Sequence, residues 1–456
     1  MVNRLPHEKE ILARHLRPTK KERDLIRGVA QDILGAIREI GNVEGMVVGS
    51  VARNTWVKGD RDLDVFLLFD PAMSRENLEM EGLARARAIA SRFTDQFHEK
   101  YAEHPYINAC IRSVDVDLVP CYKVDNPASI QSAVDRTPFH TRYIAEKING
   151  LIDDVLLLKR FAKAGGVYGS DQMTEGFSGY LCELLVLYYG GFSQLVLAAA
   201  AWHPHLVIDI EHHASKEFDE PLVVVDPVDP RRNVAAALSL DRMAEFIELA
   251  RGYADAPSVK FFEIPDTPSI TQEDLACLLE ERGTSLIAVT FGTPPFIEEI
   301  IVPQLKRSVH SVTEHLERNG FVVHHAHYRM GQERCIFLFE FLVADLPKIR
   351  RHIGPPLWNR VNAEKFREKH QNQPLPGPFI NDGRYETEMP RTWTSAAALL
   401  SSPALLSVSL GPHVRQSLEN DWEVTAGVEC WNEELAPFLA TFFARCSPLT
   451  RIQKGG

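Results

Sequence analysis

The chain has 456 residues, of which 45% are hydrophobic and 25% are charged, a composition typical of globular proteins. It excludes a disordered chain, a collagen and a small disulfide scaffold. Because single domains commonly contain roughly 100 to 200 residues, the length predicts about three domains. The formal net charge of −12 argues against a protein that binds polyanions over its whole surface.

Hydrophobic patterning predicts an α/β unit in the first third of the chain. Apolar residues recur at helical spacing over residues 20–40, and Gly41 ends the pattern. The elements predicted next are a strand at 45–48, a Gly-Ser turn opening a short helix, a strand at 62–69, a long helix over about 75–100 and a strand at 114–119.

The rest of the chain predicts a helical region followed by a mixed one. Residues 145–254 are mostly helical by periodicity. The pattern then becomes strand (285–291), helix (297–318) and two strands (321–328 and 335–342), which suggests a sheet with a helix packed on one face. We therefore predict a multidomain α+β protein divided at 1–144, 145–256 and 257–456.

The cysteines and the N-terminal segment predict the compartment. No stretch reaches the roughly 18 apolar residues of a membrane span, and no secretory signal pattern opens the chain. The seven cysteines include no Cys-x-x-Cys pair, which is typical of reduced thiols. We expect a cytoplasmic protein without a membrane partner or a structural metal.

A local excess of basic residues lies between Gln304 and His370, which contains 12 Lys and Arg residues but only seven Asp and Glu residues. The basic residues are Lys306, Arg307, Arg318, Arg329, Arg334, Lys348, Arg350, Arg351, Arg360, Lys365, Arg367 and Lys369. Such a region can face a phosphate backbone, and a solvated surface of mixed charge is the alternative.

Carboxylates interrupt two otherwise apolar strands. Asp62 and Asp64 point to one face of their strand because side chains alternate, while Leu63 points to the other. Asp115 and Asp117 repeat this arrangement on a later strand, and alternation alone does not separate them. For the first pair alone, an exposed strand end is the alternative. Charges inside an apolar strand are costly unless they are paired or metal-bound, which favours a metal site.

A Gly-Ser turn precedes the first carboxylate pair. Gly49 and Ser50 end a strand at a helix start, where free backbone N–H groups and a hydroxyl can bind a triphosphate. Gly-Ser alone is weak evidence. Together with three carboxylates on neighbouring strands, it predicts a two-metal phosphoryl-transfer site.

The ordered set of Gly-Ser, Asp-x-Asp and a later Asp resembles the nucleotidyltransferase superfamily of DNA polymerase beta. Longer segments are similar to the archaeal (class I) CCA-adding enzymes, a family of tRNA nucleotidyltransferases: GSVARNTW, DLDVFLLF, YAEHPY, VDVDLVPCY, AVDRTPFH, GFSGYLCELL, DPVDPRRNVAAALS, GPFINDGR and LGPHVRQSL. The resemblance covers nearly the whole chain. It implies a polymerase-beta-like catalytic head domain, a helical neck domain and C-terminal tRNA-binding body and tail domains in the three predicted parts.

The resemblance also implies roles for individual residues. Asp62, Asp64 and Asp117 would hold two Mg²⁺ ions, and Asp115 is the weaker candidate. The family often has Glu where this chain has Asp62, and Asp is still a hard oxygen ligand. The implied nucleotide contacts are Gly49, Ser50, Arg53, His104, Thr137, Lys159, Tyr168 and Arg232.

Several of these contacts have plainer alternatives. His104 also fits an ordinary loop histidine, Lys159 a snorkelling lysine on an apolar helix, and Tyr168 a core aromatic. Arg231 competes with Arg232 as the guanidinium that reads a nucleobase edge.

The function implied is template-independent addition of C, C and A to the 3′ end of tRNA from CTP and ATP, with release of pyrophosphate. The implied partners are tRNA and both nucleotides, and a homodimer is one alternative for the oligomeric state. A poly(A) or oligoadenylate polymerase is a second reading, which CTP use would exclude. A non-catalytic RNA-binding protein is a third, against which the three carboxylates argue.

Overall fold

A computed structural model describes residues 4–101 and 105–454, which form two compact units. The first unit runs to Asp266 and takes up the chain again from Cys446, and the second comprises Thr267–Arg445. The predicted division into three parts at residues 144 and 256 stays a prediction.

The first unit combines a sheet with a group of helices. Its helices are α1 (Pro6–Ile11), α2 (Lys20–Ile40), α3 (Gly49–Ala52), α4 (Arg75–Ala90), α5 (Thr137–Lys147), α6 (Ile152–Gly165), α7 (Gly179–Tyr189), α8 (Phe192–Ala199) and α9 (Leu240–Asp255). Its strands are β1 (Glu44–Val48), β2 (Asp62–Phe69), β3 (Phe97–Tyr101), β4 (Pro105–Ile111), β5 (Val114–Tyr122), β6 (Leu206–Ile208) and β7 (Leu222–Val224). The five-stranded sheet has the order β1-β2-β5-β4-β3, and its neighbours are antiparallel except for β2 and β5.

Local sequence signals account for the first long helix. Thr19 accepts a hydrogen bond from the Glu22 backbone, and the Glu22 carboxylate accepts one from the Thr19 backbone, forming a capping box. Ile26 and Ile33 lie on the buried face, and Gly41, with a φ of 73°, follows the last turn. The helix predicted over residues 20–40 is confirmed.

The two faces of the sheet differ. Leu63 and Leu67 of β2 belong to a buried cluster that includes Ile33 of α2 and Leu78 of α4. Side chains alternate across a strand, so the neighbours of Leu63 face the other side. On that side Asp62 and Asp64 lie at the start of β2, and Phe66 and Leu68 further along the strand belong to a smaller buried cluster.

The helix predicted over about residues 75–100 is wrong at its C-terminal end. α4 ends at Ala90, and Phe97–Tyr101 forms β3, which pairs antiparallel with β4. Over a segment this short, apolar residues fit helical and strand periods equally, so pairing with β4 decides the structure. The strand predicted at 62–69 is confirmed, and the one predicted at 114–119 continues to Tyr122.

Aromatic side chains form the core of the helical part. The ring centroid of Phe161 on α6 lies 5.6 Å from that of Phe192 on α8 and 6.0 Å from that of Phe246 on α9. All three are fully buried. The mostly helical prediction is confirmed, with β6 and β7 added as a short parallel pair. This rigid core positions Lys159 on α6 and Glu183 on α7, two buried charges discussed below.

The second unit contains two antiparallel sheets. Its helices are α10 (Gln272–Arg282), α11 (Glu298–Arg318), α12 (Arg360–His370), α13 (Ala396–Leu400), α14 (Pro412–Asn420) and α15 (Ala436–Phe443). Its strands are β8 (Ser285–Gly292), β9 (Val322–Met330), β10 (Arg334–Val343), β11 (Ile349–Pro356), β12 (Phe379–Asn381), β13 (Arg384–Pro390) and β14 (Trp422–Ala426). The sheets have the orders β14-β8-β10-β9 and β11-β13-β12.

Helices cover both faces of the four-stranded sheet, where the sequence predicted a helix on one. Leu305 of α11 packs with Phe337 of β10 in one cluster. Leu275 of α10 and Leu439 of α15 pack with Leu338, on the opposite face of the same strand, in another. The nearly continuous apolar run of β10 reflects this burial on two sides. The predicted strands and helix are otherwise confirmed.

The chain ends in α16 (Pro448–Lys454), which belongs to the first unit. Arg451 donates a hydrogen bond to the carbonyl of Ala164 over 3.1 Å. Across the described part of the chain, no single helix is long and apolar enough to cross a bilayer. The pair α7 and α8 meets these criteria only jointly, across a bend of 93°, and by length and composition alone.

Candidate active site

The pairing of β2 with β5 brings the acidic residues together. In the parallel register Asp62 lies beside Asp115, and Asp64 lies beside Asp117. The four side chains therefore share the face of the sheet opposite Leu63. The neighbouring strands were predicted, whereas their parallel register, which pairs residues 53 positions apart, comes from the structure.

Burial and mutual repulsion perturb the acids on this face. Burial, together with the charges of Asp117 and Asp62, raises the pKa of Asp64 to about 6 against the opposing effect of Arg53. Burial likewise raises the pKa of Asp62 and of Asp117 above the ordinary value. The charge of Asp117 contributes to the raised pKa of Asp62 and of Asp64. The charge of Asp115 contributes to the raised pKa of Asp62 and of Asp117, but not to that of Asp64. The electrostatics thus make Asp117 the partner of Asp64.

Asn108 holds the carboxylates of β5. Its amide nitrogen donates to Asp115 and to Asp117, each over 2.7 Å. Asn108 is buried on β4 and lies opposite Asp117 in the antiparallel register. An amide inside the apolar run YINACI was the available sequence signal for it, and our sequence analysis missed it.

Gly49 makes close approach to Asp64 possible. A Cβ at this position would lie 1.9 Å from Oδ2 of Asp64, and the backbone φ is 72°. Gly49 opens α3 itself, where the sequence predicted a turn ahead of a helix. Since α3 is a single turn, its dipole is small, and the backbone N–H groups and the Ser50 hydroxyl are the groups available to a phosphate.

Arg53 is fixed by a buried carboxylate. Its Nε donates to Glu183 over 3.0 Å, and its Nη1 lies 3.4 Å from the Thr141 hydroxyl. Thr55 also donates to Glu183, which is fully buried on α7. Glu183 was missed in the sequence, although a lone acid within YLCELLVLYY is the kind of signal that marks a paired buried charge.

Lys159 and Tyr168 meet at the start of α7. The Lys159 Nζ donates to the Thr55 carbonyl over 2.8 Å and lies 4.0 Å from Glu183. Lys159 is 5% exposed, so it does not snorkel to solvent, and burial lowers its pKa. A Cβ at Gly179 would lie 3.3 Å from the Tyr168 hydroxyl and 3.5 Å from the Lys159 Nζ. Both polar ends therefore reach the same glycine.

Arg232 lies in a second polar group. Its Nη1 donates to Asp226 over 2.8 Å, and Asp226 also contacts the Nε2 of His140 at 2.8 Å. Arg232 lines a cleft of about 600 Å³ that is also bordered by Arg136, Arg231 and Phe218 among others. This volume is within the usual range of small-ligand sites. Asp226 and His140 were missed by the sequence analysis, although Asp226 opens the DPVDPRRN segment.

The remaining predicted contacts are Thr137 and His104. Thr137 is half-buried at the first position of α5, behind a loop that Asp135 orders by accepting the backbone N–H groups of Gln131 and Ser132. His104 lies outside the described residues.

The donor chemistry of the carboxylate face fits Mg²⁺, which prefers hard oxygen ligands. The three acids do not converge on one point, because Asp64 is turned toward Gly49 and Asp117 toward Asn108. Accordingly, within residues 4–101 and 105–454 no three His, Cys, Asp or Glu side chains are gathered in the geometry of an ion site. Burial is the main cause of the raised pKa values, and repulsion between the acids adds to it. A divalent cation would offset both effects.

Family models match most of the chain. A nucleotidyltransferase domain model matches residues 30–140, a model of the second domain of tRNA nucleotidyltransferase matches 153–263, and a model of the C-terminal domain of the CCA-adding enzyme matches 282–427. The carboxylate-bearing sheet and the helical region that follows it therefore define a nucleotidyltransferase.

Curated relatives extend over the full length. The CCA-adding enzyme of Methanoregula boonei is 68% identical over 454 residues, covering 100% of this chain and 99% of the relative. Those of Methanosarcina mazei and Haloarcula marismortui are each 40% identical, over 91% and 90% of this chain and 92% of each relative. The chain belongs to the family of CCA-adding enzymes. Among solved structures, a Cid1 poly(U) polymerase aligns with 17% identity and a TM-score of 0.44, covering 57% of this chain and 98% of that one.

Removing the amide that holds Asp117 should weaken metal binding. In Asn108→Ala we expect the affinity for Mn²⁺, used as a calorimetric probe, to fall about 10- to 100-fold, as it does when outer-shell partners of metal ligands are lost. Asn126→Ala is the control, because Asn126 caps a distant turn through the Ala128 N–H. Equal Mn²⁺ affinities in the two variants would contradict the positioning role.

Proposed function

We propose that the face bearing Asp62, Asp64 and Asp117 catalyses the sequential addition of C, C and A to the 3′ end of tRNA, with CTP and ATP as substrates. The observation that carries this proposal is the register that sets Asp64 beside Asp117 and against the Gly49 turn. Acids in this arrangement can hold divalent cations next to a bound triphosphate.

Each addition is one nucleotidyl transfer. The oxygen of the RNA 3′-hydroxyl forms a bond to the α-phosphorus, the bond from that phosphorus to the bridging oxygen breaks, and pyrophosphate leaves. The hydroxyl proton passes to solvent. Asp62, Asp64 and Asp117 would hold two Mg²⁺ ions, whose chemistry is to lower the pKa of the hydroxyl and stabilise the charge of the leaving pyrophosphate.

The residues around α3 position the triphosphate. Arg53 keeps its Nε on Glu183 and its Nη1 near the Thr141 hydroxyl. Because a guanidinium carries five donors in a fixed fork, the Nη2 donors are left for phosphate oxygens. Gly49 and Ser50 supply backbone and hydroxyl donors. Lys159 and Tyr168 form the adjoining group at Gly179. We also assign Thr137 and His104 to this nucleotide site on the basis of the family motifs.

Arg232 is the better candidate for reading the base. Its guanidinium is anchored to Asp226, whereas Arg231 is exposed. A guanidinium in a fixed orientation can make paired hydrogen bonds to a nucleobase edge, and an unrestrained one loses about 2 kcal/mol of rotamer entropy on binding.

The second unit provides a basic surface for the RNA. Arg350 of β11 and Lys365, Arg367 and Lys369 of α12 are exposed, and α12 packs on β11 and β13. An enzyme that serves every tRNA must recognise shape and backbone rather than sequence, which basic side chains suit. We propose that the protein acts in the cytoplasm, and a homodimer stays a prediction.

The direct test uses purified protein, Mg²⁺ and a tRNA transcript that ends before its CCA. We expect two additions with CTP alone, none with ATP alone and a third addition when both are present, read on a single-nucleotide gel. A ladder from ATP alone would instead indicate a poly(A)-type polymerase. No extension under any condition would favour a non-catalytic RNA-binding protein.

A further inference from the structure

Asp226 is the centre of a buried hydrogen-bonded group that the reaction itself does not explain. It is fully buried and accepts four hydrogen bonds. Oδ1 accepts from the Val228 backbone over 3.0 Å and from the Tyr180 hydroxyl over 3.3 Å. Oδ2 accepts from His140 and Arg232, each over 2.8 Å. A carboxylate is buried in this way only when its partners offset the cost of desolvation.

Asp226 is ionised, so it can form an ion pair with Arg232. Burial acts to raise the pKa of Asp226, but the hydrogen bond and charge of His140, the Val228 N–H and the charge of Arg232 outweigh it and hold the pKa at about 2. Burial lowers the pKa of His140 despite its contact with Asp226. An ionised carboxylate only accepts, so the Nε2 of His140 carries the proton and donates. The ring of His140 stacks on Tyr180 with centroids 4.2 Å apart, which fixes its plane.

We infer that Asp226 is a positioning residue that fixes the guanidinium of Arg232 for reading the base of the incoming nucleotide, with His140 and Tyr180 holding Asp226 in turn. The inference rests on the proposed role of Arg232. Asp226 and Arg232 are joined by two hydrogen bonds: the side-chain bond from Nη1 to Oδ2, and a backbone bond from the Asp226 N–H to the Arg232 carbonyl over 3.0 Å. The Nη1 of the Arg232 guanidinium is held by Asp226, and Arg232 borders the cleft of about 600 Å³ described above.

A fixed fork can discriminate between bases. Cytosine offers two neighbouring acceptors, O2 and N3, and adenine offers N1, whereas uracil presents an N3–H donor that opposes a guanidinium. Discrimination of this kind depends on donors that cannot turn away from the wrong base. Freeing Arg232 should therefore reduce selectivity more than the rate of the chemical step.

The test is Asp226→Asn, with kcat and KM measured for CTP, ATP and UTP on tRNA transcripts with matching 3′ ends. The amide nitrogen introduced on one side would face the donors of His140 and Arg232. We expect the ratio of kcat/KM for CTP over UTP to fall about tenfold, mainly through KM. Glu211→Gln is the control, because Glu211 contacts Tyr143 and Lys147 of the same α5 without touching Asp226.

A double-variant cycle separates positioning from general damage. In an Arg232→Ala background, Asp226→Asn should change the CTP-to-UTP ratio no further, because the group it positions is gone. Tyr180→Phe keeps the ring and removes one hydrogen bond to Asp226, so it should shift the ratio in the same direction by a smaller factor even if Asp226→Asn fails to fold. An unchanged ratio in Tyr180→Phe and in folded Asp226→Asn, or additive effects in the cycle, would overturn the inference. If Arg232→Ala itself leaves the ratio unchanged, the proposed role of Arg232 fails first.

Discussion

Asp117→Ala is expected to lower kcat for CTP addition by about a thousandfold or more while leaving tRNA affinity nearly unchanged. Asp117 lies beside Asp64 in the register of β2 and β5, and its charge contributes to the raised pKa of Asp64. Under the proposed assignment, the substitution takes away an oxygen ligand shared by the two Mg²⁺ ions, and losses of this size are typical of central catalytic groups. Single-turnover extension of a tRNA lacking CCA measures the rate, and filter binding measures the affinity.

The matched control for this variant is Asp115→Ala on the same strand. Asp115 is exposed, lies beside Asp62 and is bound by the same Asn108 amide as Asp117. We expect it to retain activity within about tenfold, consistent with a residue that tunes its neighbours without ligating. If the two variants are equally inactive, Asp115 shares the metal role, and if Asp117→Ala remains active, the metal assignment is wrong.

Gly49→Ala should lower kcat at least about a hundredfold with only a modest loss of stability. The added methyl group would lie 1.9 Å from Oδ2 of Asp64, and its backbone is held at a φ of 72°. The carboxylate is the movable partner, so it rotates away, and displacements of about 1 Å at a reacting site can cost a hundredfold in rate. The positive φ adds roughly 1 to 2 kcal/mol of backbone strain.

Gly59→Ala isolates the backbone contribution to this effect. Gly59 has a φ of 91°, and a Cβ there would meet no atom within 4 Å. Thermal unfolding should show a similar loss of stability for both variants, whereas kcat should fall only for Gly49→Ala. A comparable fall in kcat for Gly59→Ala would mean that strain rather than displacement of Asp64 limits the reaction.

Alternation and motif spacing made the carboxylate-bearing face predictable. Acidic and apolar residues alternate over 62–65 and 114–118, so the side that Asp62, Asp64 and Asp117 occupy follows from local geometry. Helix boundaries followed where caps were present, as at Thr19 and Gly41. Local signals failed at residues 97–101, where pairing with a distant strand outweighed them.

The residues that support the site were not predictable in the same way. Glu183 and His140 act through partners far away in the chain: Glu183 lies 130 positions from Arg53, and His140 lies 86 positions from Asp226. Asn108 and Asp226 contact residues of their own segments, but those contacts depend on the strand pairing and turn that the fold sets. A polar residue in an apolar segment signals that a partner exists, but its identity depends on which elements pack together.

The sequence by itself determined which acids share one face of the sheet, because this depends on residue type and short spacing, and its motifs carried the resemblance to the nucleotidyltransferase superfamily. Only the tertiary structure decided that Asp117 rather than Asp115 adjoins Asp64, and that Asp226 anchors Arg232. Strand register and helix packing are set by the burial of apolar surface over the whole unit, so they bring together side chains that no local pattern relates.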